Sequence, residues 1–384
     1  MSDGQTEIHG TCAPGFEPVR AAFAANFAER DEIGASVAVV SGGEQVVSLW
    51  AGWADPGRTR AWQENTLTNV WSTTKAMTAL CAWRLIDAGE LDPDAPVTRY
   101  WPEFAAGGKA GMPVRWIMSH KSGLTGLAVP VQVTDYYDWE KITGLLAAQE
   151  PLFPPGTATG YQAITYGYLV GEVIRRIAGQ TCGRFFAAEV AGPLDADFHI
   201  GLPEPELGRC SQLQGVRPTE DEQAALAQAY ASAHPAAMAA LVNPALTGDE
   251  ANEADWRMAE IPAANGHGTA AALATIYGAV ADGSQRLVSA RTLELARAGE
   301  GVYTDLVLGV PLEFGLGIGL GSGQHFGPNP KAFGHDGFGG SAVGADPEAG
   351  VAYAYVMNRM GMNLLDDPRK MAVIDGVYKS LAAA

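Results

Sequence analysis

Strand-forming runs stand at the two ends of this chain, and helix-like segments fill the space between. Residues 35–53 (ASVAVVSGGEQVVSLWAGW) hold two apolar, β-branched runs around Ser-Gly-Gly, which predicts a hairpin. Near the other end, residues 342–358 (AVGADPEAGVAYAYVMN) repeat the pattern around Asp-Pro-Glu-Ala-Gly. A helical pattern covers residues 66–90, with LDPDAP following as a stop that cannot continue a helix. Helical and loop segments, punctuated at PLFPPGTATG (151–160), run on to about residue 285, and a last helix is expected over residues 366–381. This order predicts an α/β (α+β) chain with an antiparallel sheet built from both ends, flanked by helices and carrying a mainly helical insertion. The expected division is a sheet domain of residues 1–60 and 265–384 and a helical domain of residues 61–264, with the site at their interface.

Composition narrows the classes of function. Hydrophobic residues make up 47% of the 384 and charged residues 18%, enough apolar material for a core and no signature of disorder. Lys and Arg number 25 against 43 Asp and Glu, a net charge of −18. Such a surface repels phosphate backbones and anionic lipid, so neither a nucleic acid nor a membrane is expected as partner. The uncharged stretch 223–248 is mostly Ala and holds His234, Pro235, Asn243 and Pro244, too weakly apolar to span a bilayer. It reads as a buried or loosely packed helical segment. No basic residue precedes Arg20 and no apolar run opens the chain, so no secretory signal is expected and the cytoplasm is the expected compartment. Cys12, Cys81, Cys182 and Cys210 lie far apart without C-x-x-C or Cys/His spacing, which predicts free thiols and no metal. No cofactor is implied, and the oligomeric state is not legible.

The chemistry concentrates at Ser72-Thr73-Thr74-Lys75. Ser at i and Lys at i+3 share a helix face, close enough for a proton to pass. Residues 76–83 (AMTALCAW) carry no charge, so the helix is apolar all round and its lysine sits in a setting where ammonium is disfavoured. The positive end of the helix dipole acts in the same direction. Two readings stand at this point: Lys75 as a neutral amine that takes the Ser72 proton, or Ser72 as a cap with Lys75 reaching solvent. Other nucleophile sets are absent: there is no G-x-S-x-G, no H-E-x-x-H and no phosphate-binding loop. The glycine cluster GHDGFGGSAVG (334–344) precedes a hairpin rather than bridging strand to helix, which argues against a dinucleotide loop.

In its context NVWSTTKAMTALCAWRLIDAGELDPDAPVTRYWPEF, the Ser-Lys motif resembles the active-site helix of the serine β-lactamase/penicillin-binding superfamily. The likeness is to the class C-like branch that includes the family VIII carboxylesterases. MSHKSGL (118–124), PPGTATGYQAITYGYLVGEVI (154–174), IPAANGHGTAAALA (261–274) and FGHDGFGGS (333–341) resemble further segments of that branch, in its order. The resemblance implies a β-lactamase/transpeptidase-like fold and an acyl-enzyme on Ser72. It gives Lys75 and Tyr161 the general-base and relay work, with the phenol expected to ionise more easily beside a cationic lysine. The backbone N–H groups of Ser72 and Phe338 form the implied oxyanion hole, and His335, Asp336 and Gly337 stand where β-lactamases carry Lys-Thr-Gly. Of the remaining candidates, Tyr166 and Tyr168 fit an apolar stripe and His120 a loop-orienting role. Asn265 and His267 are open, and Tyr136, Tyr137 and Trp139 fit either an acyl-pocket wall or core.

Two departures from the β-lactamase pattern set the expected substrate. Tyr161-Gln162-Ala163 replaces Tyr-x-Asn, so no side-chain amide meets a substrate amide, and His335-Asp336-Gly337 lacks the fixed cation that would meet a carboxylate. Asp336 is expected to add repulsion. A neutral ester needs neither anchor, which predicts a carboxylesterase on small neutral esters. The alternatives are a β-lactamase- or DD-peptidase-like amide hydrolase, an acyltransferase on the same Ser-Lys-Tyr set, and an idle binding scaffold.

Overall fold

A computed structural model describes residues 6–321 and 325–383. Its main layer is a seven-stranded antiparallel sheet in the order Ile8–Cys12, Glu44–Gly52, Gly34–Ser41, Val351–Met357, Ala342–Asp346, Phe333–Asp336 and Gly319–Leu320. Both expected hairpins form, and they join where Ser41 pairs with Val351 and Ala35 with Met357. The first hairpin turns at Gly42 and Gly43, with φ of 59° and 84°. Two successive left-handed residues match the twist of a tight hairpin, and glycine adopts them without a Cβ clash.

The two central strands, Gly34–Ser41 and Val351–Met357, are buried almost throughout, so both faces of the sheet are covered. Side chains alternate along Val351–Met357. Tyr355 reaches Asn26 of helix Glu17–Glu29 at 3.3 Å, on the face where helix Pro368–Ala383 also packs. Ala352 and Ala354 point the other way, against the Ala-rich helix Ala270–Ala281. The approach there is close: a Cβ on Gly278 would meet Val40 at 2.6 Å.

Residues 66–90 are not one helix. Thr68–Asn69 is a short strand beside Gly266–Gly268, a 3-10 turn follows at Trp71–Thr73, and the α-helix is Thr74–Asp87. The Asn69 side chain explains the late start. It donates to the Ala264 carbonyl at 2.9 Å and accepts from the Trp256 indole at 3.0 Å, holding the backbone extended just before the turn. The sequence reading also missed strand Ile8–Cys12 and helix Glu17–Glu29. The stretch 223–248 contains most of helix Glu220–Ala231, which buries no side chain, and helix Pro235–Leu241, which buries only Ala236 and Ala237. Among the described residues no helix is long and apolar enough to cross a membrane, and all four cysteines are unpaired.

A buried ionic cluster ties the chain ends together. Arg369, at the start of the last helix, donates to Glu32 at 3.0 Å and to both Asp367 oxygens at 3.0 and 2.7 Å, while Tyr355 donates to Glu32 at 2.5 Å. All four side chains are buried, so removing the guanidinium strands two carboxylates away from water. Arg369→Met is therefore expected to lower stability by about 3–5 kcal/mol, measured by urea unfolding; a loss below about 1 kcal/mol would contradict this account of the cluster.

Candidate active site

The turn Trp71–Thr73 presents Ser72 at the mouth of helix Thr74–Asp87. Trp71 has φ 47°, a left-handed conformation that costs a bulky residue about 1–3 kcal/mol. Its buried ring packs against Trp256 and Phe338, at centroid distances of 5.3 and 5.5 Å, and that burial offsets the strain.

Lys75 is fully buried and, among the described residues, has no carboxylate partner. Its Nζ lies 2.8 Å from Ser72 Oγ, 2.7 Å from the Ala163 carbonyl and 3.1 Å from the Ala263 carbonyl. Ser72 caps nothing and Lys75 reaches no solvent, so the capping alternative is not what forms. Burial pushes the amine well below the ordinary lysine pKa. A neutral amine has two hydrogens and one lone pair. Carbonyls only accept, so they engage the two hydrogens, and the lone pair is left for the Ser72 hydroxyl.

Tyr161 lies under this amine, its ring centroid 4.7 Å from Nζ. Burial raises the phenol above its usual pKa, with its contact to the Ser72 hydroxyl pulling the other way. The expected easier ionisation is thereby reversed, because burial of the phenol outweighs what its neighbours offer the phenolate. The backbone around Tyr161 is clamped from two sides. Asp305 Oδ1 accepts from the Tyr161 amide at 3.1 Å and from the Val307 and Leu308 amides at 2.9 and 3.0 Å. The His120 carbonyl accepts from the Gly160 amide at 2.9 Å, and its Nδ1 accepts from the Gln162 amide at 3.1 Å, the loop-orienting role expected of it. Gln162 turns into the core, donating to Ile117 at 2.8 Å and accepting from Ser122 at 2.5 Å. Ala163 contributes its carbonyl to Lys75.

The three residues of His335-Asp336-Gly337 point to different tasks. His335 is held at a ring distance of 6.2 Å from Tyr161, and burial lowers its pKa to about 3, so the ring is neutral. Its Nδ1 lies 2.7 Å from the Asp336 carbonyl, which fixes the hydrogen on Nδ1 and leaves Nε2 as an acceptor. The Asp336 carboxylate faces the buried Lys370 ammonium, so the repulsion expected from it is answered within the protein. Gly337 is a steric requirement: a Cβ there would stand 2.1 Å from Ser341 Oγ and 2.3 Å from the Val70 carbonyl. The next residue, Phe338, has a free amide. Among the described residues neither its N–H nor that of Ser72 donates to a backbone acceptor.

Beside Tyr161 and His335 runs a cleft walled by Leu308, Leu312, Phe314, Phe326 and Leu365. No Lys or Arg lines it among the described residues. The aromatics left open by the sequence are core. Tyr136 and Trp139 pack on Tyr168 at 6.2 and 5.1 Å, and Trp139 donates to Glu172 at 2.7 Å. Tyr137 is half-buried against the same core, and Tyr166 is buried. Asn265 accepts from the Ile261 amide at 2.9 Å and donates to Trp256 at 2.8 Å, which shapes the loop that offers Ala263 to Lys75. His267 hydrogen-bonds the Asn265 carbonyl at 2.8 Å and is structural. Sequence reasoning missed Asp305, Arg369 and Lys370, each of which also reaches a distant segment: the Tyr161 amide, Glu32 and Asp336 respectively. Among the described residues no group of His, Cys, Asp or Glu is arranged to hold a metal ion.

The sequence model of the Beta-lactamase family matches residues 19–377. The chain is 37% identical over 369 residues to "Esterase/beta-lactamase LipL" of Mycobacterium tuberculosis, covering 93% of this chain and 84% of that protein. A crystal structure of a family VIII carboxylesterase superposes with a TM-score of 0.91 at 42% identity, covering 97% of this chain and all 100% of that one. A penicillin-binding protein homologue from Caulobacter crescentus superposes at 0.89 with 40% identity, over 98% and 100% of the two chains.

The packing around Gly337 gives a direct test. Gly337→Ala overpacks against a backbone carbonyl and is expected to cost at least about 2 kcal/mol. Gly111→Ala, where a Cβ meets nothing within 4 Å, is the control and should change stability by less than about 1 kcal/mol. Thermal unfolding of both variants decides, and equal melting temperatures would refute the steric reading of Gly337.

Proposed function

The chain belongs to the beta-lactamase family, and from that premise we propose that it is a serine carboxylesterase that hydrolyses small neutral carboxylic esters through an acyl-enzyme on Ser72. The observation that carries the reading is the Lys75 amine, 2.8 Å from Ser72 Oγ, with two carbonyls engaging its hydrogens. Lys75 takes the Ser72 proton as Oγ attacks the ester carbonyl carbon. The oxyanion that forms accepts hydrogen bonds from the Ser72 and Phe338 amides, donors of a kind worth about 10²–10³ in rate each. Collapse breaks the bond to the alkoxy oxygen. That oxygen leaves with the proton returned from Lys75 through the Tyr161 phenol. Water then attacks the acyl-enzyme, gives its proton to the same Lys75–Tyr161 pair, and the acid departs as Ser72 regains a proton.

Three features support a neutral substrate. The cleft is walled mainly by apolar side chains. Lys370, which reaches this segment, is spent on Asp336. His335 offers an acceptor where a substrate carboxylate would need a donor. The four unpaired thiols fit the reducing compartment expected from the sequence. An amide hydrolase or acyltransferase on the same machinery is the second reading, favoured by the likeness to the penicillin-binding protein homologue; hydroxylamine or an added alcohol as acceptor, with product analysis, separates it from hydrolysis.

Initial rates on 4-nitrophenyl butyrate, with a chromogenic cephalosporin in parallel, test the proposal. Ser72→Ala is expected to abolish ester turnover while keeping the wild-type melting curve. Retention of more than a few per cent of the rate would sink the mechanism, and faster cephalosporin than ester cleavage would sink the neutral-ester specificity.

The pH dependence follows from Lys75. Its pKa in the folded protein is depressed, so the reactive neutral amine persists to lower pH than an ordinary lysine allows and is lost as pH falls through that lowered value. An acid limb in kcat/KM is expected, with no alkaline loss from Tyr161, whose phenol stays protonated well above pH 9. Lys75→Ala should lower kcat/KM by about 10²–10⁴; a mild effect would move the base role to Tyr161.

A further inference from the structure

The two amides of the oxyanion hole come from different parts of the fold. Ser72 stands on the turn before helix Thr74–Asp87, and Phe338 stands on the turn after strand Phe333–Asp336. Within each turn the backbone fixes its own amide: Thr73 N–H donates to Val70 at 3.2 Å, and Gly340 N–H donates to Gly337 at 3.1 Å. Neither of these bonds sets the distance from one amide to the other.

One side chain joins the two turns. Ser341 Oγ–H donates to the Val70 carbonyl at 2.8 Å and lies 3.2 Å from Thr73 Oγ1, while the Ser341 carbonyl accepts from the Gly337 amide at 2.7 Å. Among the described residues these two contacts of Oγ are the hydrogen bonds joining residues 70–74 to residues 333–341. The residues they bracket on either side are Ser72 and Phe338. Ser341 is fully buried, so water cannot stand in for its hydroxyl. The space where Gly337 would carry a Cβ is taken by that same oxygen, which leaves it one place to be.

We propose that Ser341 is a positioning residue that sets the separation of the two oxyanion-hole amides by bridging the turns that carry them. The proposal rests on the reading of Ser72 as nucleophile and of the Ser72 and Phe338 amides as the hole. An oxyanion needs both donors within about 2.7–3.1 Å, whereas a ground-state carbonyl tolerates looser contact. Loss of the bridge therefore acts on the transition state. The Val70 carbonyl keeps the Thr73 amide as a partner when the hydroxyl is removed, and the group that loses its contact is the buried Thr73 hydroxyl.

The test compares wild type, Ser341→Ala, Ser341→Cys, Ser72→Ala and Ser380→Ala as full chains. Ser380 is the control, since its buried hydroxyl donates to Gly376 at 2.9 Å within the last helix, away from the site. The readouts are kcat and KM on 4-nitrophenyl butyrate, melting temperature, and the rate of Ser72 labelling by a 4-nitrophenyl alkylphosphonate, whose tetrahedral adduct places an oxygen in the hole. Ser341→Ala is expected to lower kcat about 10- to 100-fold, to leave KM within about 3-fold, and to slow phosphonylation by the same factor as kcat. Its melting temperature should fall no further than that of Ser380→Ala. Ser341→Cys, nearly isosteric with a weaker donor, should lie between wild type and Ser341→Ala, and it carries the test if the alanine variant fails to fold. If Ser72→Ala is dead and Ser72 is labelled in wild type, but the Ser341 variants keep kcat within about 3-fold or lose it only through KM, the bridge is refuted and the mechanism stands. If Ser72→Ala stays active or Ser72 is not labelled, the underlying reading fails and the proposal falls with it.

Discussion

A lysine buried without a counter-ion organises this molecule. Lys75 gains nothing from water and nothing from a carboxylate, so its place depends on two backbone carbonyls delivered by other segments. Ala163 comes from the loop that begins helix Thr165–Ala178, and Ala263 from the loop before strand Gly266–Gly268. Each loop is shaped in turn by buried polar side chains: Gln162, His120 and Asp305 around the first, Asn265 around the second. These side chains have no contact with the Ser72 hydroxyl, yet the direction of the Lys75 lone pair depends on all of them.

The charges on the opposite side of the site follow a similar logic. Arg369 and Lys370 are neighbours on the last helix, and they reach forward to different parts of the glycine-rich turn. Arg369 donates to the Gly339 carbonyl at 2.7 Å, and Lys370 meets the carboxylate of Asp336. The residues between these anchors include Phe338. The helix that closes the chain thus acts as a backing plate for the turn that faces Ser72, and the Glu32 and Asp367 carboxylates neutralise the arginine there.

Much of this was legible in the sequence, and the boundary of legibility has a physical cause. The two hairpins are periodic and local, so residues 35–53 and 342–358 announced themselves, as did the apolar helix that carries Lys75, though not the turn that presents Ser72. The resemblance marked Tyr161 and His335-Asp336-Gly337 by their place in the order of the family's segments, although their spelling departs from the β-lactamase pattern. What stayed hidden depends on partners far along the chain. Nothing near Trp71 signals a left-handed tryptophan, since the compensation comes from Trp256 and Phe338. Nothing beside Asp305 signals that it will hold the amide of Tyr161. The charge of Asp336 was read correctly as a residue and misjudged as a field, because Lys370 answers it from another element. Tyr161 was misjudged for a related reason: a sequence shows a phenol near a lysine, and only the fold shows how deeply that phenol is buried.

The pairing of Gly34–Ser41 with Val351–Met357 has a consequence in time as well as in space. The strand that completes the centre of the sheet, Val351–Met357, lies far along the chain from its partner Gly34–Ser41, and the turn bearing Phe338 precedes it only narrowly. Helices near Ser72 can form early from local contacts, whereas the strand Gly34–Ser41 must wait with an unpaired edge until its neighbour arrives. Pairings this distant in sequence fold slowly, because the loop must close before the contact gives anything back. The sheet and the turn bearing Phe338 are therefore completed together, once both strands of this distant pair are in place.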